Sequence, residues 1–217
     1  MQRIRHPQKL GDRIGAPDAH DASFVALFEG WPDDLGRLHA SLERHLGPRS
    51  WELVVVDLPG DDEASERIAS LERVTHVPLR DPMGWAAARN LGLRLASGRV
   101  VVVVDGSVEL TGDAVTALDA HLSDPAVGLV GRWGVVTNDG FDFEEVSPAA
   151  VVDVDGVEAY VMAMRRADLA RTGLFDVKYK WYRNADIDFS FQVRDAGLRT
   201  IVDPALPFDR HEHRSWA

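Results

Sequence analysis

The stretch Gly98-Arg99-Val100-Val101-Val102-Val103-Val104-Asp105 decides how the chain is read. Five β-branched residues in a row, closed by an acid, describe a buried strand of the kind found in a parallel sheet covered by helices. An earlier run, Leu53-Val54-Val55-Val56-Asp57, has the same form. Working outward, segments of helical period separate such runs. After Trp31-Pro32-Asp33-Asp34, the residues Leu35, Leu38, Leu42 and Leu46 fall on one helical stripe, which Gly47-Pro48 ends. Residues 23–28 read as a first strand, Ala64, Ile68 and Leu71 as the next helix, 74–77 as a strand and 84–96 as a helix. The order is that of an α/β domain with a mixed, mostly parallel central sheet. In open sheets of this class ligands sit beyond the carboxyl ends of the strands, so Asp57 and Asp105 belong on one functional rim, unless each merely caps the loop that follows it.

After Leu122 the pattern changes to strands near 127–130 and 133–136, a turn at Asn138-Asp139-Gly140, and alternating runs at 151–154 and 159–164. This half reads as mixed or antiparallel. A short helix ends near Thr172-Gly173, another covers about 186–196 with Gly197 as its cap, and Ile201-Val202 reads as a last strand.

The chain has 217 residues, 24 Lys plus Arg against 35 Asp plus Glu, and 45% apolar residues. That is enough for one domain with a sizeable core, expected over 22–217 behind a loose arm at 1–21. A net charge of −11 opposes binding to nucleic acid or to an anionic surface. With no cysteine there is no disulfide, thiolate nucleophile or cysteine-held zinc, which fits the cytoplasm. No apolar run approaches the length of a membrane span. The absence of Gly-x-Gly-x-x-Gly after a strand, and of a Gly-Lys phosphate loop, argues against dehydrogenase and kinase-like readings.

Several stretches together resemble the family 2 glycosyltransferases, inverting nucleotide-sugar enzymes with the GT-A fold of the nucleotide-diphospho-sugar transferase superfamily. They are Val54-Val55-Val56-Asp57, Gly84-Trp85-Ala86-Ala87-Ala88-Arg89-Asn90-Leu91-Gly92, Ala96-Ser97-Gly98 leading to Asp105, Gly173-Leu174-Phe175-Asp176, and Asp186-Ile187-Asp188-Phe189 leading to Arg194-Asp195-Ala196-Gly197. The resemblance runs from about 23 to 213. It implies a three-layer domain whose half at about 22–110 binds the donor and whose half at about 111–217 binds the acceptor.

The resemblance also implies roles. Phe28, Glu29 and Asp57, with Trp31 as an apolar face, would hold the nucleobase and ribose of a nucleotide diphosphate sugar, UDP-linked by default. Gly84, Arg89 and Asp105 belong to the same donor site. Arg89 lies in a small, apolar helix segment where a cation needs an anionic partner, either a ligand, Asp105 or a structural acid. Asp105 opens the family's metal-binding Asp-x-Asp motif, but here the motif reads Asp105-Gly106-Ser107. Loss of the second acid should weaken Mn2+ or Mg2+ binding unless His211, His213 or Glu109 compensates. Asp186 aligns with the general base and Asp188 is the alternative, on another face of the helix. Ala185 stands where the family often has a Glu. Trp181, Tyr182 and Arg183 would meet a carbohydrate or glycolipid acceptor. The expected protein is a glycosyltransferase that works alone, as a homodimer or with a membrane-associated partner, at the inner face of the membrane or free in the cytoplasm. The alternative is a catalytically impaired relative acting as a nucleotide- or glycan-binding or assembly module.

Overall fold

The computed structural model describes residues 13–60, 62–182 and 184–211. Arg183 and His213 therefore lie outside the described residues. The first half alternates strand and helix: β1 (His20–Phe28), α1 (Pro32–Leu46), β2 (Trp51–Asp57), α2 (Asp62–Ala69), β3 (Val74–Pro78), α3 (Trp85–Leu95) and β4 (Gly98–Val104). The second half continues with β5 (Val108–Leu110), α4 (Ala114–Leu122), β6 (Val127–Gly131), β7 (Gly134–Thr137), β8 (Phe143–Glu145), β9 (Val152–Asp153), β10 (Gly156–Val157) and β11 (Val161–Arg165). After α5 (Leu169–Thr172) and α6 (Ala185–Asp195), the described chain closes with β12 (Arg199–Val202) and β13 (Phe208–Arg210).

The central sheet has the order β3-β2-β1-β4-β11-β6-β12-β9. Strands β3, β2, β1 and β4 run parallel, β11 runs antiparallel between β4 and β6, and β12 is parallel to β6. The five valines of β4 are fully buried, and strand alternation sends them to two separate cores. Val100, Val102 and Val104 pack with the stripe Leu35, Leu38, Leu42 and Leu46 of α1 and with Leu118 of α4. Val101 and Val103 pack with Leu93 of α3 and Phe189 of α6. Each buried valine contributes about 1.5–3 kcal/mol of hydrophobic stabilisation. The result is the three-layer arrangement expected from the sequence.

Residues 13–21 are not a loose arm. Strand β1 begins at His20, the Arg13 amide donates to Arg94 O at 2.8 Å, and the Ala19 amide to Ser97 O at 2.8 Å. The buried Arg166 guanidinium also donates to Ala16 O at 2.6 Å and Asp18 Oδ1 at 2.5 Å, and bonds Arg13 O. A buried cation satisfied by chain carbonyls holds this segment against the sheet.

Two features place the site. The register pairs Phe28 with Asp57 and Val25 with Val103, so β1, β2 and β4 end on one edge. Because β11 is antiparallel and Val161 pairs with Val104, the residues before β11 meet that same edge. There the Asp105 amide donates to Tyr160 O at 3.1 Å. A short ribbon of β5 and β13 completes the rim, pairing Val108 with Arg210.

Candidate active site

Glu29, Asp57 and Asp105 follow or end three neighbouring parallel strands, so one rim carries all three acids. A cleft there is lined by Phe28, Glu29, Trp31, Asp105 and Ser107. Phe28 is itself core, only 3% exposed, whereas Trp31 is exposed and offers an apolar face.

Asp57 is buried, and its Oδ2 lies 2.7 Å from Nε2 of His76 on β3. His76 Nδ1 is buried with no hydrogen-bond partner. Sequence reasoning missed His76, because a lone histidine in an apolar strand carries no motif. The register explains the pair: Val55 stands opposite His76 and Asp57 opposite Pro78 on adjoining strands.

Arg89 and Gly84 differ from expectation. The Arg89 guanidinium is 1% exposed, and its Nη1 donates to Val25 O at 2.8 Å and Val104 O at 3.0 Å. It ties β1 to β4 beneath the rim rather than reaching into the cleft. Burial lowers its pKa, while the carboxylates of Asp105 and Glu29 oppose that shift. Gly84 precedes α3, whose first amides are already used: Trp85 donates to Lys180 O at 2.9 Å and Ala86 to Tyr179 O at 3.3 Å. A Cβ at Gly84 would lie 2.9 Å from Lys180 Cδ and 3.2 Å from its Cα, so close chain packing accounts for the glycine.

The donor set for a metal is short. Asp105 Oδ1 accepts hydrogen bonds from the Ser107 amide at 2.8 Å and its hydroxyl at 2.6 Å. His211 donates its amide to Ser107 O at 2.9 Å, and its Nε2 lies 2.9 Å from Glu109 Oε1. Among the described residues no three acids or histidines gather as a metal-holding group. This set fits a hard cation that shares its shell with substrate phosphates, not one caged by the protein.

At the start of α6, Asp186 is fixed by the Ala159 amide on Oδ2 and the Ile187 amide on Oδ1, both at 3.0 Å. Burial raises its pKa and these amides oppose the rise. Asp188 lies on another face, where its Oδ2 accepts from Gln192 Nε2 at 2.7 Å. Ala185 is fully buried. Trp181 is 81% exposed and Tyr182 is exposed beside it.

A further group was not read from the sequence. Arg210 stacks 4.3 Å over the Tyr160 ring and 5.4 Å from Trp133, whose ring meets Tyr160 edge-on at 6.0 Å. Glu158 donates its amide to Trp133 O at 3.0 Å. Burial, with Glu145 and Asp186 nearby, pushes its carboxyl up to about 7 against the pull of Arg210. These residues come from separate turns and a three-residue strand, so no sequence spacing links them.

The family 2 glycosyl transferase model matches residues 25–185. The chain belongs to that family. Its fold is similar to the structure of GalNAc-T7 with UDP, GalNAc and Mn2+, at a TM-score of 0.75 and 15% identity over 91% of this chain. It is also similar to the mannosyltransferase PcManGT from Pyrobaculum calidifontis in complex with GDP-Man and Mn2+, at a TM-score of 0.69 and 21% identity over 97% of this chain. The chain spans 45% of the first structure and 64% of the second. No curated protein matches the sequence significantly. Among the described residues, no helix is long and apolar enough to cross a membrane.

Proposed function

We propose that this chain transfers a sugar from a nucleotide diphosphate sugar, UDP-linked by default, to an acceptor hydroxyl with inversion at the anomeric carbon. One observation carries the reading: within a family 2 fold, a single rim joins a cleft lined by Glu29 and Asp105, with buried Asp57 ending the neighbouring strand, to half-buried Asp186 across Tyr160. In this reading residues of about 22–110 form the donor half and the remainder the acceptor half.

Trp31 gives the nucleobase an apolar face, while Glu29 and Asp57 accept hydrogen bonds from base or ribose. His76 holds one oxygen of Asp57 and so orients the carboxylate. When a divalent cation, Mn2+ or Mg2+, is bound with the donor, it supplies charge neutralisation for the diphosphate, and Asp105 and His211 are the residues that would hold it. Trp181 and Tyr182 offer faces for a carbohydrate or glycolipid acceptor. The acceptor oxygen attacks the anomeric carbon opposite the diphosphate, which leaves with the electron pair. The hydroxyl proton passes to the carboxylate of Asp186, with Asp188 as the alternative base.

A second reading, a nucleotide-binding module without turnover, is favoured by the Ser107 hydroxyl engaged on Asp105. Titration calorimetry with UDP, GDP, ADP and dTDP, with and without Mn2+, tests the donor site. One nucleotide is expected to bind, more tightly with Mn2+ and more weakly in Asp105→Ala. Equal affinity in Asp105→Ala would remove Asp105 from the site.

A further inference from the structure

We infer that His76 sets which nucleobase the donor site accepts. By occupying one oxygen of Asp57 it leaves a single open acceptor, which fits the imide edge of uracil or thymine and not the edge of guanine. The inference rests on the glycosyl-transfer reading, in which Asp57 meets the base, and names the class of nucleotide for that site. His76 is a positioning residue, since it acts through Asp57. The two oxygens of Asp57 are not equivalent. Oδ2 lies 2.7 Å from His76 Nε2, and the two side chains are only 5% and 6% exposed. A carboxylate only accepts, so His76 is the donor of this pair. The next polar atom to Nε2, Ser65 Oγ, is 3.4 Å away, which leaves Asp57 as the stronger partner. Oδ1 accepts no hydrogen bond from the described residues, yet unlike His76 Nδ1 it is not sealed from solvent. It is the oxygen that a ligand at the rim can reach. The mount is rigid: the Leu79 amide donates to Asp57 O at 2.9 Å and the Leu58 amide to Phe28 O at 3.1 Å. The end of β2 is thus locked between β3 and β1, beside the cleft that Phe28, Glu29 and Trp31 line.

The edges of the bases read this difference. Uracil and thymine present one donor, the N3 proton, between two carbonyl oxygens. A carboxylate with both oxygens bare would set its second oxygen against one of those carbonyls, a repulsion that grows where water is excluded. With Oδ2 capped by the imidazole N–H, that repulsion falls, and Oδ1 alone meets the N3 proton. Guanine presents two adjacent donors, at N1 and at its amino group, which match a carboxylate with two open oxygens. Here the second donor would be left unpaired or would have to displace the imidazole, and an unpaired polar group in a closed site is costly. Adenine sets the lone pair of N1 beside its amino group, and the carboxylate repels it. One capped and one open oxygen therefore select the imide edge.

Titration calorimetry of the full chain with UDP, GDP and ADP in Mn2+ tests this. The native chain should bind UDP at least about 10-fold more tightly than GDP or ADP. His76→Leu removes the N–H and bares Oδ2, so the ratio of UDP to GDP affinity should move towards GDP by about 10-fold or more. His76→Gln, whose amide can cap the same oxygen, should keep that ratio within about threefold of the native one. A merely structural role would lower both affinities together and leave the ratio alone. If the native chain favours GDP, or if the ratio in His76→Leu stays within about threefold of the native one, His76 does not set the base. Circular-dichroism melting verifies that each variant is folded, and the native ratio tests the inference even where a variant is not. Asp57→Asn separates the two levels of the argument. Unchanged UDP affinity in Asp57→Asn removes Asp57 from the base site, and the role of His76 with it. Lost UDP affinity there, with an unmoved ratio in His76→Leu, overturns the role of His76 alone.

Discussion

Glu158→Gln changes stability in a way that needs no substrate. The ordinary carboxyl value is 4.5 and the folded chain raises it to about 7, chiefly by burial and then by Glu145. The folded state thus holds this proton more tightly than the unfolded chain. Its stabilisation is complete below about pH 4.5 and is lost as pH rises through about 7. Without screening, that difference corresponds to about 3 kcal/mol. Water reaches part of the side chain and screens it, so about 1–2 kcal/mol is expected. For a domain of this size that is about 2–8 °C in Tm. Glutamine keeps the volume and removes the proton. Thermal denaturation of both proteins at about pH 4 and about pH 8, either side of the transition, should show the variant gaining on the native chain by that amount at the higher pH. An equal Tm difference at both pH values would refute the placement of Glu158 among burying and negatively charged neighbours.

Other positions give sharp outcomes. Gly92→Ala gains about 1 kcal/mol of helix propensity, but its Cβ would overlap Val25 Cγ1, an overpacking cost of about 1–3 kcal/mol. Urea denaturation should report a net loss of up to about 2 kcal/mol. His76→Ala leaves buried Asp57 without its 2.7 Å partner. Stability should fall by about 1–3 kcal/mol, and calorimetry should find weaker nucleotide binding. Ser107→Asp sets a second carboxylate beside Asp105, a repulsion of about 1–4 kcal/mol. Its Tm should fall in EDTA and recover with Mn2+ more than the native Tm rises. A variant as stable as the native chain in EDTA would contradict the closeness of residues 105 and 107.

How much of this was legible in the chain depends on whether the signal was local. Val100-Val104 and the leucine stripe of α1 set strand, helix and layer, because period-2 and period-3.6 patterns survive in sequence. The shared rim of Asp57 and Asp105 followed from parallel strands of equal direction. Three things were not legible. Strands β5 and β13 have three residues each, too short for a period, yet they carry Glu109 and Arg210 to the rim. The partner of Arg89 was a choice between a ligand and an acid, and the fold answered with two strand carbonyls, which only the packing of α3 across β1 and β4 could reveal. Glu158 and His76 take their settings from neighbours that are distant in sequence: Asp186 for one and Asp57 for the other. The arm at 13–21 misled for a similar reason. Its polar residues look solvated until Arg166 is seen holding their carbonyls.

The central claim is sugar transfer at the rim between Asp105 and Asp186. Proton NMR of the native chain with each donor, followed from the first minutes, tests it most directly. The account expects one donor to be cleaved, with the first-formed sugar carrying the anomeric configuration opposite to that in the donor, and no such signal in Asp105→Ala. Release of sugar with retained configuration, or cleavage undiminished in Asp105→Ala, would contradict it.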